Sequence, residues 1–241
     1  MTNKSASINK KWWVLLGVSI ASFLGCIDFT IVNTALPAIQ DGFNATMTEL
    51  QWVINMFILA LCSFMVVMGR LADIYGRRQI LYIGMFVFGL SSLGAGLSPS
   101  VQWLIFFRLI QGISCAILYT ATGAIVSNTF PPNERGKAIG ILFGVNGLGL
   151  AVGPIFGGII VSILSWRWVF LINLPLIIIS LLICFASLTE SLNKEHGAQI
   201  DWLGLTALIL SLSTLVAGVT EFNALCVRYA SLLLLIALSS F

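Results

Sequence analysis

Long apolar runs separated by short polar segments dominate this chain. Each run approaches or exceeds the roughly 20 apolar residues that a helix needs to cross a bilayer. The runs lie near residues 12–36, 50–69, 79–98, 102–127, 138–163, 167–188, 203–220 and 225–241. The segments between them are too short to form an extramembrane domain. The pattern therefore predicts an all-α integral membrane protein with about eight spans, of which the eighth is short and contains Arg228.

The composition agrees with this pattern. Of the 241 residues, 59% are hydrophobic and 9% are charged, whereas roughly a quarter of the residues in a soluble domain are charged. So few charges cannot cover a water-soluble surface, which excludes a cytosolic enzyme and a secreted disulfide scaffold. A net charge of +3 is too small for a domain that binds nucleic acid by counterion release. A single histidine, His196, provides no cluster of metal ligands.

Basic residues gather in alternate polar segments of the chain. They lie before span one and between spans two and three, four and five, and six and seven: Lys4, Lys10, Lys11, Arg70, Arg77, Arg78, Arg135, Lys137 and Lys194. In the remaining segments between spans, the only basic residue is Arg167. Because basic segments stay on the cytoplasmic side, both termini are predicted to be cytoplasmic.

Two ionisable side chains remain well inside the apolar runs, Asp28 in span one and Arg108 in span four. A charge inside a membrane costs a few kcal/mol and marks a functional site by default. Asp28 lies ~13 Å from Pro37, taken as the outer end of span one, and Arg108 lies ~9 Å from the outer end of span four. Their similar depths predict an ion pair, provided that the two spans touch.

Span four also carries a stripe of polar and small residues. Arg108, Gly112, Cys115, Tyr119 and Thr122 recur at helical spacing and share one face. Such a face is expected for the wall of a water-filled cavity. The alternative is a helix–helix seam that contains a structural ion pair.

Glycines are concentrated in span five, where Gly149, Gly153 and Gly157 repeat every four residues beside Pro154. This spacing forms a ridge that permits close helix packing. The density of glycines beside a proline indicates a moving or leak-sealing interface, and ordinary small-residue packing is the alternative.

The segment Gly69–Arg78 is predicted to form a tight cytoplasmic turn. Within it, Asp73 either caps a helix or pairs with Arg77. The alternative is a turn whose basic residues serve only to orient the protein in the membrane.

Taken together, these segments resemble the major facilitator superfamily, and within it the 14-span drug:proton antiporters. Residues 69–81 are similar to the signature G-x-L-a-D-r-x-G-r-k-x-x-l, with Ile74 where a basic residue is common, and residues 108–112 are similar to the span-four motif R-x-x-Q-G. Residues 28–37 and 166–175 are similar to motifs in spans one and six of the 14-span group. The antiporter spacing G-x8-G-x3-G-P-x2-G-G is matched by Gly140, Gly149, Gly153, Pro154, Gly157 and Gly158.

The resemblance implies a domain organisation. Residues 12–188 would form the N-terminal six-span domain as two inverted three-helix repeats. Residues 1–11 would precede it in the cytoplasm, a cytoplasmic loop would follow at 189–202, and two additional helices would occupy 203–241. Because the superfamily has a second six-span domain, the chain is interpreted as truncated after about eight spans.

The resemblance also implies roles for individual residues. Asp28 and Arg108 would couple transport to protons. The substrate cavity would be lined by Asn33, Gln111, Gly112, Cys115 and Tyr119. The cytoplasmic gating loop would use Gly69, Asp73, Gly76, Arg77 and Arg78.

The function that follows is proton-coupled efflux of small lipophilic or cationic drugs by alternating access. It would operate in a bacterial inner membrane, with the proton motive force as energy source and no cofactor or metal. The alternatives are an inactive truncated remnant and a half-transporter completed by a second chain or by a homo-oligomer. A membrane enzyme is the least favoured class, because the sequence contains no HExxH, GxSxG or paired-carboxylate arrangement.

Overall fold

The computed structural model describes residues 3–188, with side chains from residue 10 onward. Its helices are α1 (Asn3–Phe43), α2 (Met47–Tyr75), α3 (Arg77–Gly96), α4 (Val101–Thr129), α5 (Pro132–Ile163), α6 (Trp168–Leu171) and α7 (Asn173–Ser187). Six segments of this part are long and apolar enough to cross a membrane, and the sixth span combines α6 and α7. The predicted all-α membrane fold is thereby confirmed. The loop at 189–202 and the spans predicted at 203–220 and 225–241 lie outside the described residues.

Two helix ends differ from the prediction. Span one does not end at Pro37, because α1 continues to Phe43 and stops before Asn44, which has a φ of 50°. A proline inside a membrane helix leaves one carbonyl without its donor, and neighbouring helices make this tolerable. The tight turn predicted over residues 69–78 is also wrong in its extent. The chain is helical up to Tyr75, and only Gly76, with a φ of 103°, separates α2 from α3.

The packing of the helices relates the two halves of the bundle. The first span, α1, packs mainly on α5 and on α7 of the sixth span, whereas α4 packs mainly on α2 and α3. The two halves are spans one to three and spans four to six. The first helix of each half, α1 or α4, therefore packs among the helices of the other half. A two-fold axis in the membrane plane produces this arrangement, as expected for two inverted three-helix repeats.

Two apolar clusters fill the interior of the bundle. One lies at the end where α1 begins and includes Leu24, Phe88, Leu118 and Ile177. The other lies at the opposite end and includes Ile31, Ala95, Leu104 and Phe170. Between the clusters, four spans contribute buried polar side chains, which we call the polar layer: Asp28, Ser92, Arg108, Gln111 and Asn173.

Candidate functional site

Asp28 lies at the centre of the polar layer and is fully buried. Its Oδ2 is 2.5 Å from Nη1 of Arg108 on α4. Its Oδ1 accepts a hydrogen bond of 3.0 Å from Nδ2 of Asn173, and Nε2 of Gln111 lies 3.5 Å from the same oxygen. A buried carboxylate is tolerated when an opposite charge and further donors replace its water. Three spans therefore meet at this one side chain.

Arg108 is 1% exposed and has partners on three sides besides Asp28. Its Nε donates to the Val53 carbonyl of α2 at 3.1 Å, and its Nη1 donates to Oε1 of Gln111 at 3.2 Å. The guanidinium carbon lies 4.1 Å from the ring centroid of Phe57, also on α2. A cation over an aromatic face is stabilised by the ring quadrupole, more so when water is excluded. Arg108 therefore has hydrogen-bonding and aromatic partners that do not depend on its ion pair with Asp28.

Ser92 connects α3 to the same layer. Its Oγ donates to the Phe170 carbonyl at 3.1 Å and accepts hydrogen bonds of 3.0 Å from Gln111 and from Asn173. Asn173 thus uses its amide nitrogen for both Asp28 and Ser92. Its Oδ1 is buried and has no hydrogen-bond partner among the described residues.

The predicted gating segment is held by local polar contacts. Arg77 donates to Oδ1 of Asp73 through Nε at 2.9 Å and Nη2 at 2.7 Å, so Asp73 forms the ion pair rather than a helix cap. Nη1 of Arg77 also donates to the Ala124 carbonyl of α4 at 3.2 Å. Arg78 donates to the hydroxyl of Tyr82 and lies over its ring. Because the Asp73–Arg77 pair is partly exposed, it adds only about 0–1 kcal/mol of stability.

The glycine ridge of α5 faces α1. A methyl group placed on Gly153 would lie 3.3 Å from the Ile27 carbonyl oxygen, and one on Gly157 would lie 2.9 Å from that of Ile31. The absence of side chains here allows the two backbones to approach closely. The members of the glycine motif differ in this respect, since Gly140 and Gly158 have open space within 4 Å in the described part of the chain.

The residues predicted to line a substrate cavity occupy different environments. Asn33 is exposed, and Tyr119 is partly buried with its hydroxyl 3.1 Å from Sγ of Cys26. Gln111 belongs to the polar layer, and Gly112 and Cys115 are buried.

Gly112 and Cys115 lie in a helix–helix seam. Such a seam is the alternative to a cavity wall for the polar stripe of span four. A methyl group on Gly112 would lie 2.7 Å from Cβ of Ala60 on α2, and one on Gly25 of α1 would lie 2.5 Å from Sγ of Cys115. In this conformation α4 packs on α1 and α2 through these positions. A role in substrate binding stays a prediction for all five residues that were expected to line the cavity.

Comparison with known proteins decides the family. Residues 18–241 match the family model described as Major Facilitator Superfamily. The chain belongs to this superfamily. As expected for this superfamily, it is a multi-pass membrane protein.

Several curated relatives are similar over most of this chain. It is 35% identical over 209 residues to the riboflavin transporter RibZ of Clostridioides difficile (strain 630), covering 87% of this chain and 46% of that protein. It is 35% identical over 212 residues to multidrug resistance protein 3 of Bacillus subtilis (strain 168), covering 88% and 40%. It is 34% identical over 223 residues to the tetracenomycin C resistance and export protein of Streptomyces glaucescens, covering 92% and 41%. The chain therefore spans less than half the length of these relatives.

Solved structures agree on the fold. The human organic anion transporter MFSD10 superposes with a TM-score of 0.64 at 19% identity, covering 85% of this chain and 55% of that one. An inward-facing bacterial homologue of the human lysosomal transporter Spinster superposes with a TM-score of 0.61 at 19% identity, covering 93% and 58%. At this identity the likeness concerns the fold alone.

Two residues of the polar layer, Ser92 and Asn173, were not predicted from the sequence. The prediction rested on ionisable residues within the spans, and both of these side chains are neutral. The available signal was an asparagine inside the apolar sixth span, since buried amides in membrane helices usually hydrogen-bond to neighbouring helices. Within residues 10–188, no group of three or more His, Cys, Asp or Glu side chains is arranged to hold a metal ion.

Proposed function

We propose that the chain exchanges protons for small lipophilic or cationic drugs, with Asp28 as the proton-binding group and Arg108 as its partner. The observation that carries this proposal is the fully buried ion pair between α1 and α4. Relatives named for drug resistance and export support the choice of substrate class. Because the chain spans less than half of those relatives, we further propose that a second set of helices completes the transport path.

The proposed coupling follows from the charges of the pair. While the two groups are in contact, the guanidinium balances the charge of the carboxylate, and a carboxylate left unpaired in apolar surroundings is costly unless a proton neutralises it. Separation of α1 from α4 at this level would therefore be accompanied by binding of a proton to the Asp28 carboxylate. Arg108 would keep its contacts with Val53, Gln111 and Phe57. The guanidinium would thus remain charged while the carboxyl group is neutral.

The energy for this exchange would come from the proton gradient and the membrane potential. One elementary charge crossing the membrane is worth ~2.3 kcal/mol per 100 mV, so the proposal requires no cofactor. We propose a bacterial inner membrane as the location, and the distribution of basic segments supports cytoplasmic termini. Asn33 and Tyr119 are the residues we would first test for contact with the drug.

A second candidate cargo is riboflavin. The match to the Clostridioides difficile riboflavin transporter covers most of this chain at an identity as high as the match to the Bacillus subtilis multidrug resistance protein. Parallel assays of riboflavin and of a fluorescent lipophilic cation separate the two cargoes.

The test is efflux of the fluorescent lipophilic cation, with and without a protonophore, from cells that express the chain, in which a second copy of the chain would supply the second set of helices. We expect protonophore-sensitive efflux that is abolished in Asp28→Asn. The matched control is Asp41→Asn, which removes an exposed carboxylate at the far end of the same helix and is expected to transport normally. Membrane levels of all variants are measured in parallel. Efflux at the unmodified rate in Asp28→Asn would refute the assignment of Asp28.

A further inference from the structure

Asn173 carries a fully buried side-chain oxygen that has no hydrogen-bond partner among the described residues. The side chain is 1% exposed, and its Nδ2 donates to Oδ1 of Asp28 and to Oγ of Ser92, both at 3.0 Å. Its Oδ1 is equally buried and has no partner among the described residues. A buried carbonyl without a donor bears the full cost of its removal from water. Such an atom in a layer of otherwise satisfied groups requires an explanation.

The chemistry of Asp28 supplies one. An ionised carboxylate only accepts hydrogen bonds, whereas a protonated carboxyl group also donates one and therefore needs an acceptor. Among the nearby acceptors, Oε1 of Gln111 already accepts from Arg108 and Oγ of Ser92 already accepts from two amides. Oδ1 of Asn173 accepts from no group among the described residues.

A carboxamide presents its oxygen and its NH2 group in nearly the same volume. A half-turn of the Asn173 amide therefore places Oδ1 where Nδ2 now lies, facing both Asp28 and Ser92. In that orientation Oδ1 accepts from protonated Asp28, and Nδ2 takes the position in which Oδ1 now has no partner among the described residues. The Ser92 hydroxyl can then rotate to donate to Oδ1 instead of to the Phe170 carbonyl.

We propose that Asn173 is a positioning residue that responds to the protonation of Asp28 by an amide flip. Its NH2 group faces the carboxylate, and its carbonyl oxygen faces the carboxylic acid. Only hydrogen bonds are exchanged, and the proton remains on Asp28. The flip links the protonation of Asp28 on α1 to α3 and to the sixth span, because the Ser92 hydroxyl then no longer donates to the Phe170 carbonyl of α6. The inference rests on the proposed function in taking Asp28 as the group that binds the proton.

Few other groups near Asp28 can titrate. Arg108 of α4 is the charged side chain paired with it within residues 10–188. Cys115 and Tyr119 of α4 and Cys26 of α1 form a neighbouring thiol and phenol group within electrostatic range. The partners from α3 and the sixth span, Ser92 and Asn173, do not titrate. A change of one proton in this layer is therefore assigned to Asp28.

The first test is an infrared titration of the purified 241-residue chain in lipid nanodiscs. The carboxylic acid band that disappears in Asp28→Asn reports the protonation of Asp28. Asn173→Leu removes both amide atoms at similar volume. We expect the titration midpoint to rise, because the hydrogen bond lost to the carboxylate is stronger than the one lost to the neutral acid. An unchanged midpoint would show that the hydrogen bond from Asn173 does not stabilise the carboxylate, and that result would overturn the proposal.

Ser180→Ala is the matched control in this titration. Ser180 is a buried hydroxyl of the same span, and it donates to the Gly17 carbonyl at 2.8 Å, away from the polar layer. We expect its midpoint to equal that of the unmodified chain. An equal rise in Ser180→Ala and Asn173→Leu would show a general response of the span and would overturn the specific role of Asn173.

The second test observes the Asn173 amide itself in the unmodified chain. Asparagine labelled with ¹³C at its side-chain carbonyl is incorporated, which separates the asparagine bands from that of Gln111. We expect the difference spectrum across the Asp28 titration to contain a labelled carbonyl shift that is missing in Asp28→Asn and also in Asn173→Leu, which assigns the shift to Asn173. A spectrum without this shift would refute the flip. Neither test involves transport, so loss of the proposed efflux function and loss of this inference are distinguishable.

Discussion

Gly112 offers a quantitative test of how α2 and α4 pack. In Gly112→Ala the added methyl group would lie 2.7 Å from Cβ of Ala60 and nearer still to the backbone oxygen of Phe57. Carbon atoms prefer separations of about 3.5–4.0 Å, so the helices must move apart by roughly 1 Å. Overpacking of this kind costs about 1–3 kcal/mol, and a backbone obstacle places the expected cost in the upper part of that range. For a domain of this size we expect the melting temperature to fall by about 5–10 °C.

The assay is thermal unfolding of purified variants in the same detergent, followed by the efflux measurement. Gly123→Ala is the control, since it adds a methyl group to the same helix at a position with no atom within 4 Å in the described part of the chain. Alanine favours the helix by up to ~1 kcal/mol over glycine, so this control is expected to melt at the same or a higher temperature. We also expect Gly112→Ala to weaken efflux, because α2 supplies the carbonyl of Val53 to Arg108. Equal melting temperatures for the two variants would refute the reasoning.

Two further substitutions test backbone contacts. Gly157→Ala is expected to lower the melting temperature, because its methyl group would lie 2.9 Å from the Ile31 carbonyl oxygen. The adjacent Gly158→Ala is the control and is expected to be tolerated, because its methyl group meets open space. Equal melting temperatures for these two variants would contradict the α1–α5 packing. Gly76→Ala forces an L side chain to a φ of 103° and is expected to cost about 1–3 kcal/mol. Its control in the same unfolding measurement is Gly136→Ala, which has open surroundings, and a Gly76 variant as stable as this control would exclude a strained turn.

Much of the fold was accessible from the apolar pattern. The length of a membrane span is fixed by the bilayer, so a run of sufficient length identifies a helix without knowledge of its neighbours. The ends of helices are less predictable, because they depend on partners outside the run. Pro37 stops a helix in water more readily than inside a bundle, where neighbouring helices compensate for the missing hydrogen bond. The break between α2 and α3 depended on the conformation of one glycine, Gly76.

The site was predictable in part. Asp28 and Arg108 were placed at similar depth by counting residues, and the structure places them in contact. The count cannot tell which helices touch or which way a helix is rotated. For that reason the helical spacing of Gly112 could not show that this residue packs against α2. Asn173 and Ser92 were missed because a neutral side chain in a span attracts less attention than a charge, although it too requires hydrogen-bonding partners.

The ion pair and the glycine ridge act on the same helix. Asp28 binds α1 to α4, and Gly153 and Gly157 place the backbone of α5 against the neighbouring turns of α1, at Ile27 and Ile31. The hydroxyl groups of Thr30 and Thr34 on α1 occupy the space that methyl groups on Gly153 and Gly157 would fill, so α1 and α5 interlock here. Protonation of Asp28 would weaken the electrostatic contact of α1 with α4 and leave this contact with α5 unchanged. We therefore expect α1 to be the helix that shifts during coupling, guided by α5 and released from α4 by the proton.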